Sequence, residues 1–131
     1  MKSNPVLAII LSIIFAASVY AQCNQTNAIS VSTGTAEIIA GIPGTTVSVC
    51  GILVNASATS TGVVVQTGTG TTCGTSTVNK SGNIILAQHG VASLGAGSSG
   101  DGSTLFTTPT GYAVCVQVTS GTIAGMVSYR Q

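Results

Sequence analysis

From residue 28 onward the chain is a succession of short branched-apolar runs separated by Gly, Pro, Asn and Ser, and nowhere in it do apolar residues recur with a helical period. The pattern predicts strands over residues 28–32, 36–40, 46–54, 62–67, 83–87, 112–119 and 122–129, with a weaker one over 104–107. Several short strands at this spacing are the mark of an all-β domain. The expected architecture is a single antiparallel β-sandwich, jelly-roll or Ig-like, of seven or eight strands. In the run from Tyr112, Val114, Val116 and Val118 share one face while Ala113, Cys115 and Gln117 share the other; in the last run Ile123, Val127 and Tyr129 oppose Ala124, Met126 and Ser128. Apolar side chains on both faces place these two runs in the middle of a sheet. Gly41-Ile42-Pro43-Gly44 and Pro109-Thr110-Gly111 have the composition of chain reversals, and Ser120-Gly121 between two branched runs predicts a tight hairpin joining the last two strands.

The first 21 residues follow a different pattern. Lys2 precedes an apolar run from Val6 to Ala17, and Val19-Tyr20-Ala21 places small residues where a signal peptidase reads them. The expectation is a cleaved secretion signal over 1–21 and one secreted domain over 22–131. The apolar run falls short of the ~20 residues of a membrane-spanning helix, so no membrane span is expected in the mature chain. Lipidation at Cys23 is disfavoured, because Gln22 stands where a lipidation signal wants a small side chain.

Beyond the signal the charged residues are Glu37, Lys80, Asp101 and Arg130, two of each sign. Nucleic-acid binding needs a basic stripe that displaces several counterions, and two separated cations do not supply one. Anionic membranes and acidic substrates are disfavoured on the same ground. Disorder is disfavoured too, because apolar residues make up 44% of the chain and Val and Ile are prominent among them. A surface with near-zero net charge favours association, so a homo-oligomer or surface assembly is the expected state. The stretch 95–103, almost all Gly and Ser around Asp101, is expected to be a surface loop.

Four cysteines, Cys23, Cys50, Cys73 and Cys115, follow the signal. An even number in a short exported chain reads as a disulfide framework, and four allow three connectivities. Chain order favours Cys23 with Cys50, pinning the mature terminus to a strand, and Cys73 with Cys115, anchoring the segment after Thr67; sequence alone leaves the other pairings open. Zinc is disfavoured, since the cysteines are far apart in sequence and His89 is the one histidine.

Little else carries chemistry. Gly95-Ala96-Gly97-Ser98-Ser99-Gly100 spells a dinucleotide fingerprint, but no helix follows to present its amino end to a pyrophosphate. A hydrolytic triad would have to draw on His89 with Glu37 or Asp101, and no nucleophile elbow is present. The chain is therefore read as non-enzymatic, with no cofactor and no metal. Sugar-stacking platforms are scarce, for the mature chain has no Trp and only Phe106, Tyr112 and Tyr129. Asp101 alone is a poor calcium site. Asn24, Asn55 and Asn79 head glycosylation sequons at a frequency expected by chance in a Ser/Thr-rich chain. Thr67, Thr69 and Thr71 alternate in a way that would place their hydroxyls on one face. With Asp101 they are the candidate binding residues of the 67–77 stretch and the 95–103 loop.

The segments Gly68-Thr69-Gly70-Thr71-Thr72-Cys73-Gly74-Thr75 and Thr104-Leu105-Phe106-Thr107-Thr108-Pro109-Thr110-Gly111-Tyr112-Ala113-Val114-Cys115-Val116, with the ending from Ile123 to Gln131, resemble a group of small Gly/Thr-rich, cysteine-paired β proteins of phages and environmental bacteria. The resemblance implies a β-sandwich with the two disulfides paired as chain order favours, a virion-surface or extracellular structural role, and no catalytic residues to transfer. This chain departs from the phage members in its signal peptide, which shifts the expectation toward an exported protein. The resulting expectation is a secreted, extracellular or periplasmic, structural or interaction protein displayed at a cell or virion surface. The alternative is a module binding a polymer or small ligand through the Thr-rich stretch.

Overall fold

The computed structural model describes residues 23–57, 61–95 and 103–131. The expected signal segment, Asp101 and most of the Gly/Ser-rich stretch lie outside them. The described residues form eight strands and one short 3-10 turn: β1 (Gln25–Ile39), β2 (Ser48–Ala56), β3 (Thr61–Thr69), the turn (Thr71–Cys73), β4 (Thr75–Asn79), β5 (Ile84–Leu86), β6 (Val91–Gly95), β7 (Phe106–Thr107) and β8 (Ala113–Arg130).

Strand β8 is the spine of the sheet. Its first half pairs with β3, from Val63 opposite Val118 to Gly68 opposite Ala113. Its second half pairs with β2, from Ser48 opposite Arg130 to Ala56 opposite Ile123. Strand β1 accompanies both halves, from Gln25 opposite Tyr129 to Ile39 opposite Val114. Strands β4 and β5 extend the sheet from β3, and β6 and β7 extend it from β2. Every pairing is antiparallel, and hydrogen bonds connect all eight strands. Where the strand spacing predicts a sandwich, the molecule has one continuous sheet curled as a half-barrel around its core.

The expected hairpin at Ser120-Gly121 is replaced by a corner. Residues on both sides of it belong to β8 and share β1 as neighbour, with Ser32 opposite Thr122 and Gly34 opposite Val118. Thr119, Ser120 and Gly121 thus face the single residue Thr33, and the extra length on β8 bends both strands together. Gly34 (φ 122°) and Gly121 (φ 75°) take backbone conformations that L side chains rarely adopt, which is why glycine occupies the bend. Thr33 Oγ1 donates to the Gly121 carbonyl at 3.3 Å. The same corner merges the two expected strands 28–32 and 36–40 into β1.

The alternation that predicts the strands also builds the core. Ile29, Val31, Ile52, Val54, Ile123 and Val127 from one half meet Val63, Val65, Val114, Val116 and Val118 from the other in one buried cluster, with Phe106 and Tyr129 packed against it. Both expected reversals are present. Thr45 N–H donates to the Ile42 carbonyl at 3.0 Å and Tyr112 N–H to the Pro109 carbonyl at 3.2 Å, while Gly111 N–H donates to the Thr45 carbonyl at 2.8 Å and ties the two turns together.

Two strands arise where the sequence pattern predicts loop. Strand β4 is exposed along its whole length, so burial leaves no apolar period in TSTVN. Strand β6 alternates, with Ala92 and Leu94 packed on the core, but glycines at both ends hide so short a run.

Candidate functional site

Cys23 is bonded to Cys50 and Cys73 to Cys115. The first bond fastens the start of the described chain to β2, with a Cα–Cα distance of 6.3 Å. The second, at 6.2 Å, fastens the 3-10 turn to β8. Cys115 points away from the main core, on the face of β8 opposite Val114 and Val116, where it forms a small buried cluster with Cys73 and Ala113. Two disulfides are consistent with an oxidising compartment, extracellular or periplasmic.

The Thr-rich stretch does not present one face. Thr67 is fully buried within the sheet, opposite Val114 and Val78, and its hydroxyl has no hydrogen-bond partner. Thr69 is half-buried and donates to the Thr75 carbonyl at 3.4 Å. Thr71 is exposed on the 3-10 turn. The alternation breaks because the chain leaves β3 at Gly70. What emerges instead is a compact, disulfide-anchored tip over residues 70–77. Thr72, Cys73 and Ser76 all have positive φ there, and the Thr77 hydroxyl donates to the Cys73 carbonyl. Gly68 lies beneath it, and a Cβ on that residue would come within 2.9 Å of the Cys73 Cβ.

A second surface has no counterpart in the expected sites. On the outer side of the second half of the sheet, Leu53 of β2 lies opposite Met126 of β8 and Ser93 of β6, and Met126 lies opposite Ala28 of β1. One step along, Asn55 lies opposite Ala124 and Val91, and Ala124 opposite Ser30. Leu53 (42% exposed), Met126 (54%) and Val91 (64%) stand out from small neighbours, and none of these positions carries a charge. The alternation in β8 marks Met126 as facing away from Val127, but only the pairing with β2 and β6 reveals the patch.

The remaining candidates are dispersed. His89 is exposed in the turn before β6, its N–H bound to the Ala56 carbonyl at 2.9 Å. Glu37 is exposed on β1 opposite Cys115. Asn24, Asn55 and Asn79 are all exposed. Among the described residues no three of His, Cys, Asp and Glu come together as a metal site, and no helix is long and apolar enough to cross a membrane. No family model, curated protein or solved structure matches the chain.

Proposed function

We propose that this is an exported, non-enzymatic structural protein that works by associating with its own kind or with a surface outside the cytosol. The observation that carries this reading is the outer patch of β1, β8, β2 and β6, where Leu53 and Met126 sit side by side and exposed and their cross-strand neighbours Ala28 and Ser93 are small and uncharged. Exposed apolar side chains with small uncharged neighbours favour contact with another surface over dispersal in water. The two disulfides fit the same role, because they fasten a small Val- and Ile-built domain at its amino end and at its Thr-rich tip. Sedimentation velocity on the protein recovered from an oxidising compartment tests the reading. Species larger than the monomer are expected at micromolar concentration, and a strict monomer into the millimolar range overturns self-association.

A second reading rests on the 70–77 tip. Thr72, Cys73 and Ser76 hold positive φ in a short segment tied down by a buried disulfide, and such strain gathers where a loop must keep one shape. In this reading the tip binds a hydroxyl-rich polymer through Thr71, Thr72 and Thr75. Screening against a polysaccharide array tests it. Binding that disappears in Thr71→Ala/Thr72→Ala with the disulfide intact supports it, and no retained ligand counts against it.

A further inference from the structure

We infer that β1 is a homotypic docking edge: the side of its first half turned away from β8, over residues 25–32, pairs antiparallel with the same segment of a second copy of this chain. The inference rests on the self-association reading above and names the contact that joins the first two copies, leaving the Leu53 and Met126 face to join further ones.

The strand lengths single out β1. It runs for 15 residues and pairs with β8 alone, so among the described residues no strand occupies its other side. The strands at the opposite margins of the sheet are β4 and β6 with 5 residues each, β5 with 3 and β7 with 2. Short edges offer few main-chain groups to a passing strand, whereas a long one offers a full ladder. Folded proteins blunt long edges with Lys, Pro, an inward charge or a bulge. The segment Gln25-Thr26-Asn27-Ala28-Ile29-Ser30-Val31-Ser32 has no charge and no proline, and its register with β8 is unbroken from Gln25 to Ser32.

The second half of β1 is protected, which localises the edge. Beyond Ser32 the corner interrupts the register, and a second irregularity falls between Glu37 and Ile39. Glu37 adds a charge, and the Ile38 carbonyl already accepts a hydrogen bond from Asn27 Nδ2 at 3.0 Å. Only the first half is unbroken in register and uncharged.

The occupant follows from symmetry and charge. Two copies of β1 set antiparallel satisfy two open ladders at once, while a strand from another protein satisfies one. A two-fold axis at Ile29 puts Asn27 opposite Val31, Ala28 opposite Ser30 and Thr26 opposite Ser32, so core-facing residues meet core-facing residues and outer meet outer. No like charges meet across that axis. The sheets of the two copies become continuous, and their outer faces, each with its Leu53 and Met126, merge into one surface.

The test uses two double variants. Ala28→Lys/Ser30→Lys places like charges directly opposite each other across the proposed axis, at positions that are exposed in the monomer. It is expected to weaken association at least tenfold by sedimentation at low salt, with both disulfides and the circular dichroism spectrum retained. Leu53→Lys/Met126→Lys charges the merged face and leaves the edge alone; it is expected to keep the edge-paired dimer, with less than a threefold change in its dissociation constant, while species larger than the dimer are lost. If the face variant dissociates the protein and the edge variant does not, the edge is overturned while self-association stands. A wild-type protein that never associates overturns both. Should the edge variant fail to fold, hydrogen exchange on the wild type decides: amides within 25–32 gain protection as concentration rises, and an unchanged pattern in the associated protein overturns the edge.

Discussion

Asn27 donates from Nδ2 to the main-chain oxygen of Ile38 at 3.0 Å, although the two residues lie 11 positions apart in the same strand. At about 3.3 Å per residue a straight strand would hold them roughly 36 Å apart. The bond therefore exists because β1 doubles back at Gly34, bringing its two halves against each other around β8. Gln131 Nε2 reaches the Ala40 carbonyl at 2.9 Å and closes the same side of the molecule. The curl that encloses the core is thus held by a corner in two adjacent strands and by polar side chains that reach across it.

Gly34→Ala tests the corner. A Cβ at Gly34 would meet nothing within 4 Å, so the cost is the φ of +122° alone. A loss of about 1–3 kcal/mol is expected in urea denaturation. Asn27→Ala should cost about 1 kcal/mol for the lost hydrogen bond. Because both act on one closure, the double variant is expected to depart from additivity by about 0.5 kcal/mol or more. Strict additivity with a small Gly34 effect would mean that the curl does not depend on this bend.

The two disulfides should separate in what they hold. Their sequence separations are 27 and 42 residues, so loop closure assigns each about 3–4 kcal/mol. That is a large part of the ~5–15 kcal/mol typical of a domain. Cys73→Ala/Cys115→Ala is expected to lower stability by about that amount and to speed hydrogen exchange across residues 70–77. Cys23→Ala/Cys50→Ala should cost a similar amount and leave exchange in that tip unchanged. Equal exchange in both variants would count against the tip being anchored by its own bond.

How far the sequence reaches is clearest at β8. The alternation separates Val114, Val116, Val118, Ile123 and Val127, which meet the main core, from the other face, where Ala113 and Cys115 are buried as well and Met126 is exposed. The same alternation cannot tell a hairpin from a corner at Ser120-Gly121, because a glycine with positive φ serves either, and the choice lies in whether the two halves bond to each other or to β3 and β2. Strand β4 is illegible for another reason: nothing in Thr75–Asn79 is buried, and its strand state comes from pairing with β3. The Thr67–Thr71 alternation misleads because period two holds only while the strand lasts, and β3 ends at Thr69. The outer patch is legible only at Met126, which the alternation turns away from Val127; Ala28, Leu53 and Ser93 join it only through pairings between distant strands.

Two buried threonines should respond in opposite ways to the same substitution. Thr67 is fully buried with an unpartnered hydroxyl, opposite Val78 and Val114. Valine has the same branched shape and suits a strand equally well, so Thr67→Val removes a desolvated hydroxyl and loses no bond. A gain of about 1 kcal/mol is expected. Thr108 is 3% exposed, but its Oγ1 accepts from the Val47 N–H at 3.0 Å. Thr108→Val strands that buried N–H and should cost about 1–3 kcal/mol. Urea denaturation of the two variants side by side checks the pair. A loss at Thr67 would mean that its hydroxyl finds a partner in solution, and the stretch would regain its standing as a polar site; a gain places Thr67 in the core and leaves Thr71, Thr72 and Thr75 to carry any contact made by the tip.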